Sequence, residues 1–144
     1  MKMLEVAEPQ LEKTTHFSSD TIVHFDEGLI GFSECKEFVL VENEALKPFR
    51  LLQSADTADL GFVVLDPTVR IADYHQQIPE REWEAIGVTD PHKRLAFVIV
   101  NIGLNPKEST GNFQAPLLIN YEKMTGRQVI LTDSGFCLRT PLIA

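Results

Sequence analysis

The chain of 144 residues is poor in the residues that metal and thiol chemistry need. It has two cysteines, Cys35 and Cys137, far apart and outside any CxxC pair. That excludes a disulfide framework and a zinc ribbon. Two ordinary thiols in a reducing compartment are the expectation, with a single bridge between them as the second reading. Cys35 lies among Glu34, Lys36 and Glu37, a setting that does not stabilise a thiolate. The histidines are His16, His24, His75 and His92, with no HxH or HxxxH spacing, so no metal site is expected. His24 alternates within an apolar stretch and is expected to be half-buried. His75 and His92 fall in polar connections and are expected to be solvated. No G-x-S-x-G elbow is present, and Ser54 and Ser134 have no local signature of a nucleophile. No apolar run approaches ~20 residues, so no transmembrane helix is expected. The opening MKMLEVAEPQLEK has three glutamates and no apolar signal core. A cytoplasmic protein is the expectation.

Charge of one sign is also scarce, and unevenly so. Residues 1–90 hold 18 Asp and Glu against 7 Lys and Arg, while residues 91–144 hold 3 against 6. The balances are −11 and +3. The first part should repel nucleic acid and attract basic partners. Lys93-Arg94 is the only adjacent basic pair in the second part, too dilute to mark an RNA-binding face.

What is present is a succession of short apolar stretches broken by turn residues. Strands are expected from Thr21 to Phe25, from Phe38 to Val41, from Phe49 to Ser54, and along the β-branched run from Phe62 to Leu65. ENEALKPF is a connection with one helical turn before Pro48. A single short helix follows Pro79, with Glu80, Glu82 and Glu84 at its start, Trp83 and Ile86 on one face, and Gly87 as its stop. No capping side chain precedes it. Leu95 to Ile102 reads as a strand covered on both faces. Ala115–Asn120 and Arg127–Leu131 read as a hairpin around a Thr-Gly turn, with Pro116 at the strand's start. Asp133-Ser-Gly135 then turns into Phe136–Arg139. About eight short strands and one short helix predict a mainly β chain, a small antiparallel β-barrel-like single domain. Residues 1–13 read as a polar N-terminal arm, and 14–144 as the domain.

DEGLIGF (residues 26–32) poses one explicit choice between a phosphate cradle and a turn. A P-loop requires a Gly-Lys-Ser/Thr end, and a dinucleotide loop requires three glycines before a helix. Phe32 follows Gly31, no lysine occurs before Lys36, and Asp26-Glu27 would repel an anion. The pair is read as a tight turn, with Leu29, Ile30 and Phe32 making apolar contacts.

Six stretches carry a resemblance: FDEGLIGFSECKEFVL (25–40), PFRLLQS (48–54), LGFVVLDP (60–67), LAFVIVNI (95–102), NFQAPLLIN (112–120) and GRQVIL (126–131). In this order they resemble the FliW flagellar assembly factors. The likeness covers nearly the whole chain from about Thr14. Two departures stand out: residues 1–13 extend the usual short start, and TGNFQAP has Gly111, Phe113 and Gln114 where the family pattern reads like TANLLAP. The resemblance implies a small cytoplasmic β-barrel-like protein without enzymatic activity. It implies two partners, flagellin and CsrA, a small dimeric RNA-binding repressor of flagellin translation. Flagellin would occupy the protein until it is exported. The freed protein would then bind CsrA and relieve repression. An acidic body beside CsrA would raise the electrostatic cost of RNA approach, an effect that weakens with salt.

No cofactor, metal, small-molecule substrate, membrane or direct nucleic-acid contact is expected. The candidate partner-binding residues are Glu42, Glu44, Leu46, Phe49, Asp56 and Asp59, acidic groups beside apolar ones in two connections. Lysine at Asp56 and Asp59 is expected to weaken CsrA binding and leave the fold intact. The alternative from another class is a small barrel that holds a flavin or other ligand, which would purify yellow.

Overall fold

A computed structural model describes residues 22–132 and 134–143. The expected arm at residues 1–13, His16 and Asp133 lie outside the described residues. Among the described residues nine strands are present: β1 Ile22–Phe25, β2 Glu37–Val41, β3 Phe49–Ser54, β4 Gly61–Leu65, β5 Arg94–Asn101, β6 Thr110–Gly111, β7 Leu117–Asn120, β8 Thr125–Gln128 and β9 Thr140–Pro141. The helix α1 runs Glu80–Ala85. The strands hydrogen-bond in the order β4-β3-β2-β1-β8-β7-β5-β6-β9, and β4 also pairs with β5. Seven of them therefore close into a ring, β1-β2-β3-β4-β5-β7-β8. This is the expected mainly β barrel.

The period of two in the sequence explains how these strands are held. On β2, Val39 and Val41 join one apolar cluster, while Phe38 joins another with Leu40 packed against it. On β4, Val63 and Leu65 go to the first and Val64 to the second. On β5, Ala96, Val98 and Val100 alternate with Phe97 in the same way. Successive side chains point to opposite faces, so a continuously apolar strand is one buried on both. The connection 66–93 supplies Tyr74, Ile78, Trp83 and Val88 to the first cluster. A ring ladder passes through the second: Phe25 to Phe38 at 5.7 Å, Phe38 to Phe62 at 6.1 Å, Phe62 to Phe32 at 5.2 Å.

Ring closure is the one pairing among the described strands that is parallel: His24 opposite Thr125 and Phe25 opposite Gly126. A Cβ on Gly126 would meet the Phe25 ring at 2.7 Å and the Leu118 carbonyl at 3.1 Å. Glycine is thus a condition for the close approach of β1 to β8. The expected Thr-Gly turn is therefore corrected, since Thr125 and Gly126 belong to the strand. The turn lies at Tyr121–Met124, where Asn120 Oδ1 accepts from the backbone N–H groups of Glu122 (3.0 Å) and Lys123 (3.1 Å). Met124 takes φ 55° there.

The irregular course of TGNFQAP also has a physical reason. Four residues of β5, from Val100 to Phe97, are answered by seven across the ladder, from Gly111 to Leu117. The extra residues bulge. Phe113 is fully buried. Its carbonyl accepts from the Tyr74 hydroxyl at 2.5 Å, and its ring meets Tyr74 edge-on at 5.6 Å. Burial pushes the Tyr74 hydroxyl well above its ordinary pKa. A Cβ on Gly111 would sit 2.9 Å from the Phe113 ring. Gly111 and Phe113 thus compensate: the larger ring occupies the space that a smaller residue 111 leaves. Phe136–Arg139 forms no strand; β9 begins one residue later.

Two Asp-Pro pairs start short 3-10 turns at Pro67–Val69 and Pro91–Lys93, with Asp66 and Asp90 accepting from the N–H of Thr68 and His92. In α1, Pro79 is the N-cap without a side-chain bond, and Gly87 (φ 75°) follows its end. Asn120, nearly fully buried, donates to the Ile86 carbonyl at 3.0 Å and ties that end to the β7–β8 turn.

Candidate functional site

The six candidate residues fall at opposite ends of β3. Glu42 and Glu44 are exposed in the β2–β3 connection. Both are paired, Glu42 with Arg50 Nε at 2.9 Å and Glu44 with Lys47 Nζ at 2.8 Å. Leu46 and Phe49 are half-buried against the first cluster. Asp56 and Asp59 lie in the β3–β4 connection, beyond the six residues of β3. That strand spans roughly 17 Å at ~3.3 Å per residue. The six do not form one patch.

Asp56 also has a local structural task. Its Oδ2 accepts from the backbone N–H groups of Lys36 and Glu37, each at 3.2 Å. Lysine there would remove both bonds, so the expectation that Asp56 could be reversed without touching the fold is corrected. Asp59 is exposed and has no such bond among the described residues.

The β3–β4 connection is rigid because Gln53 and Ser54 build it. Gln53, buried, donates from Nε2 to the carbonyls of Leu60 (2.8 Å), Ala58 (3.0 Å) and Ser54 (3.2 Å). Ser54 Oγ accepts from the N–H of Thr57 (2.9 Å) and Asp56 (3.1 Å). The connection leans on the start of β2 through Ala55 N–H to the Glu37 carbonyl at 2.8 Å. Cys35 Sγ lies 3.7 Å from Thr57 Oγ1. Both thiols are unbridged.

DEGLIGF is a double turn. Gly28 N–H bonds the Phe25 carbonyl at 2.8 Å, and Phe32 N–H bonds the Leu29 carbonyl at 2.7 Å. Gly28 (φ 66°) and Gly31 (φ 86°) supply the left-handed positions. A Cβ on Gly28 would lie 2.6 Å from Ser33 Cα. The apolar residues divide: Leu29 is buried, whereas Ile30 is 58% and Phe32 37% exposed. Ile30 N–H donates to Gln128 Oε1 at 2.8 Å, which fixes the turn against β8. The sequence marked the turn and its apolar contacts, but not which of the three side chains goes in and which stay out.

Histidines correct two expectations. His24 is exposed and faces Glu37 at 3.3 Å. His75 is half-buried, its ring stacked on Trp83 at 6.0 Å. His92 is exposed, as expected.

A depression of about 480 Å³ lies beside Trp83, lined also by His75, Pro79, Glu80, Pro91 and Arg94. Arg94 dominates it. Its guanidinium sits 5.4 Å over the Trp83 ring, donates from Nη1 to Glu80 Oε1 at 3.0 Å, and pairs from Nη2 with Glu80 Oε2. Its Nε is buried without a partner among the described residues. The hydrogen bond from Arg94 holds the Glu80 carboxyl below its ordinary pKa. The arrangement clamps the start of α1 to the start of β5. No group of His, Cys, Asp or Glu among the described residues could hold a metal ion. No helix of the described residues is long and apolar enough to cross a membrane.

The far edge of the sheet is protected. Pro141 on β9 has no N–H to offer, and its carbonyl accepts from Arg70 Nε at 3.1 Å.

Comparison with known proteins agrees with this geometry along most of the chain. The family model described as FliW protein matches residues 7–142. A flagellar assembly factor FliW of Caldanaerobacter subterraneus subsp. tengcongensis is 36% identical over 129 residues, covering 89% of this chain and 86% of the relative. That of Leptospira interrogans serovar Lai is 39% identical over 127 residues, covering 88% and 85%. A crystal structure of the flagellar assembly factor FliW superposes with a TM-score of 0.81 at 33% identity, covering 90% of this chain and 91% of that one. The chain belongs to the FliW family of flagellar assembly factors.

Proposed function

We propose that this protein binds flagellin and antagonises the RNA-binding repressor CsrA in the cytoplasm, and so couples flagellin translation to flagellin export. It acts by holding polypeptides and has no catalytic role. The observation that carries this reading is membership of a family of flagellar assembly factors, matched over residues 7–142. The surface chemistry supports it. The loops at one end of the barrel carry uncompensated carboxylates beside exposed apolar side chains, a combination suited to a basic protein surface.

The test is a three-component titration. Purified protein is added to CsrA bound to flagellin leader RNA, with and without flagellin. The expected result is loss of the CsrA–RNA complex on addition of this protein, and its recovery when flagellin is added. RNA binding unchanged by a large molar excess of this protein would overturn the proposal.

A further inference from the structure

We infer that the Leu29–Phe32 turn is a preformed anchor for CsrA, with the carboxylates of the β1–β2 loop and of the β3–β4 connection as its acidic rim. The inference rests on the proposed function and assigns it a surface.

Three observations carry it. The turn displays Ile30 at 58% and Phe32 at 37% exposure. Phe32 rests on the half-buried Phe62, so the exposed apolar surface continues into the ring ladder of the second cluster. The turn is also stiff: Leu29 is buried, Gly28 packs against the Ser33 backbone, and the Ile30 N–H is held by Gln128. An apolar side chain already fixed in its bound position loses little freedom on association.

Charge selects the occupant. The abutting segments 26–36 and 55–60 contain Asp26, Glu27, Glu34, Asp56 and Asp59 against a single cation, Lys36. Glu27 is shared with Arg127 at 3.7 Å, and Asp56 with backbone N–H groups. Asp26, Glu34 and Asp59 have no ion pair among the described residues. An apolar knob inside such a field fits a partner with an apolar notch rimmed by Lys or Arg, and rejects nucleic acid and acidic proteins.

The experiment measures CsrA affinity by calorimetric titration for the whole chain, for Ile30→Ser, and for the double variant Asp26→Lys with Glu34→Lys, at low and high salt. Ile30→Ser keeps the backbone bond to Gln128, so its thermal midpoint should match the parent's. Its affinity should fall about tenfold or more at both salts, the loss expected for a central anchor. The charge variant should bind weakly at low salt and lose most of the parent's salt dependence. Parent-like affinity in both variants, with the parent binding CsrA, would overturn the inference while leaving the proposed function standing. A parent that binds no CsrA would remove both.

Discussion

The two ends of β3 carry similar residues and use them in opposite ways. At the β2–β3 end, Glu42 and Glu44 are matched by Arg50 and Lys47, and Leu46 and Phe49 lean into the core. At the β3–β4 end and the β1–β2 loop beside it, carboxylates outnumber cations, and Ile30 and Phe32 face outward. Acid next to grease in sequence thus means a neutralised cap in one place and an open surface in the other. The difference comes from which residues lie opposite in space. Arg50 follows Glu42 on the adjoining strand, whereas Asp56 meets only backbone N–H groups.

The comparison breaks hardest at neighbouring residues of the exposed turn. Leu29→Ala should cost about 2–4 kcal/mol in chemical denaturation, as large-to-small changes in a core do. Ile30→Ala should stay within about 0.5 kcal/mol, as exposed positions do. Equal costs would mean that Ile30 is packed and the open end is not open. Next in size is the bulge. Gly111→Ala should destabilise by about 1–3 kcal/mol through overpacking against Phe113, and Phe113→Leu in the same chain should recover part of that loss. Strict additivity would refute the compensation. Smaller again is Asp56→Ala, which should cost about 1 kcal/mol by leaving two N–H groups without their acceptor. Asp59→Lys should be neutral for folding.

The paired carboxylates give the smallest effects. Glu42→Gln should change stability by a few tenths of a kcal/mol at most, being an exposed pair. Glu80 has a depressed folded pKa, so its contribution is present above the ordinary carboxylate value and is lost as pH falls through the lower folded value. Glu80→Gln should therefore flatten the acid limb of the stability–pH curve, read by thermal melts from neutral pH downward.

Much of the architecture was legible in the chain. The alternation of Phe38 to Val41 and the β-branched run at Phe62 to Leu65 sit within a residue of β2 and β4, because strand preference is local. The helix between Pro79 and Gly87 was legible for the same reason. Thr125-Gly126 was misread as a turn because its glycine answers to Phe25, 101 residues away. The short β6 and β9 escaped because two residues carry no period. The site was half legible: the acidic excess and the DEGLIGF turn could be read, but not the separation of Glu42 from Asp56.

Amino-acid order alone decided where most of the barrel strands and the DEGLIGF turn fall, and that its first ninety residues carry the negative charge. Those properties depend on backbone freedom and side-chain type within a few residues. Tertiary structure alone decided that β1 closes on β8 in parallel, that Asp56 secures the backbone at Lys36, and that Ile30 stays outside while Leu29 goes in. Each of these depends on groups brought together from distant parts of the chain, and packing, unlike propensity, has no short-range code.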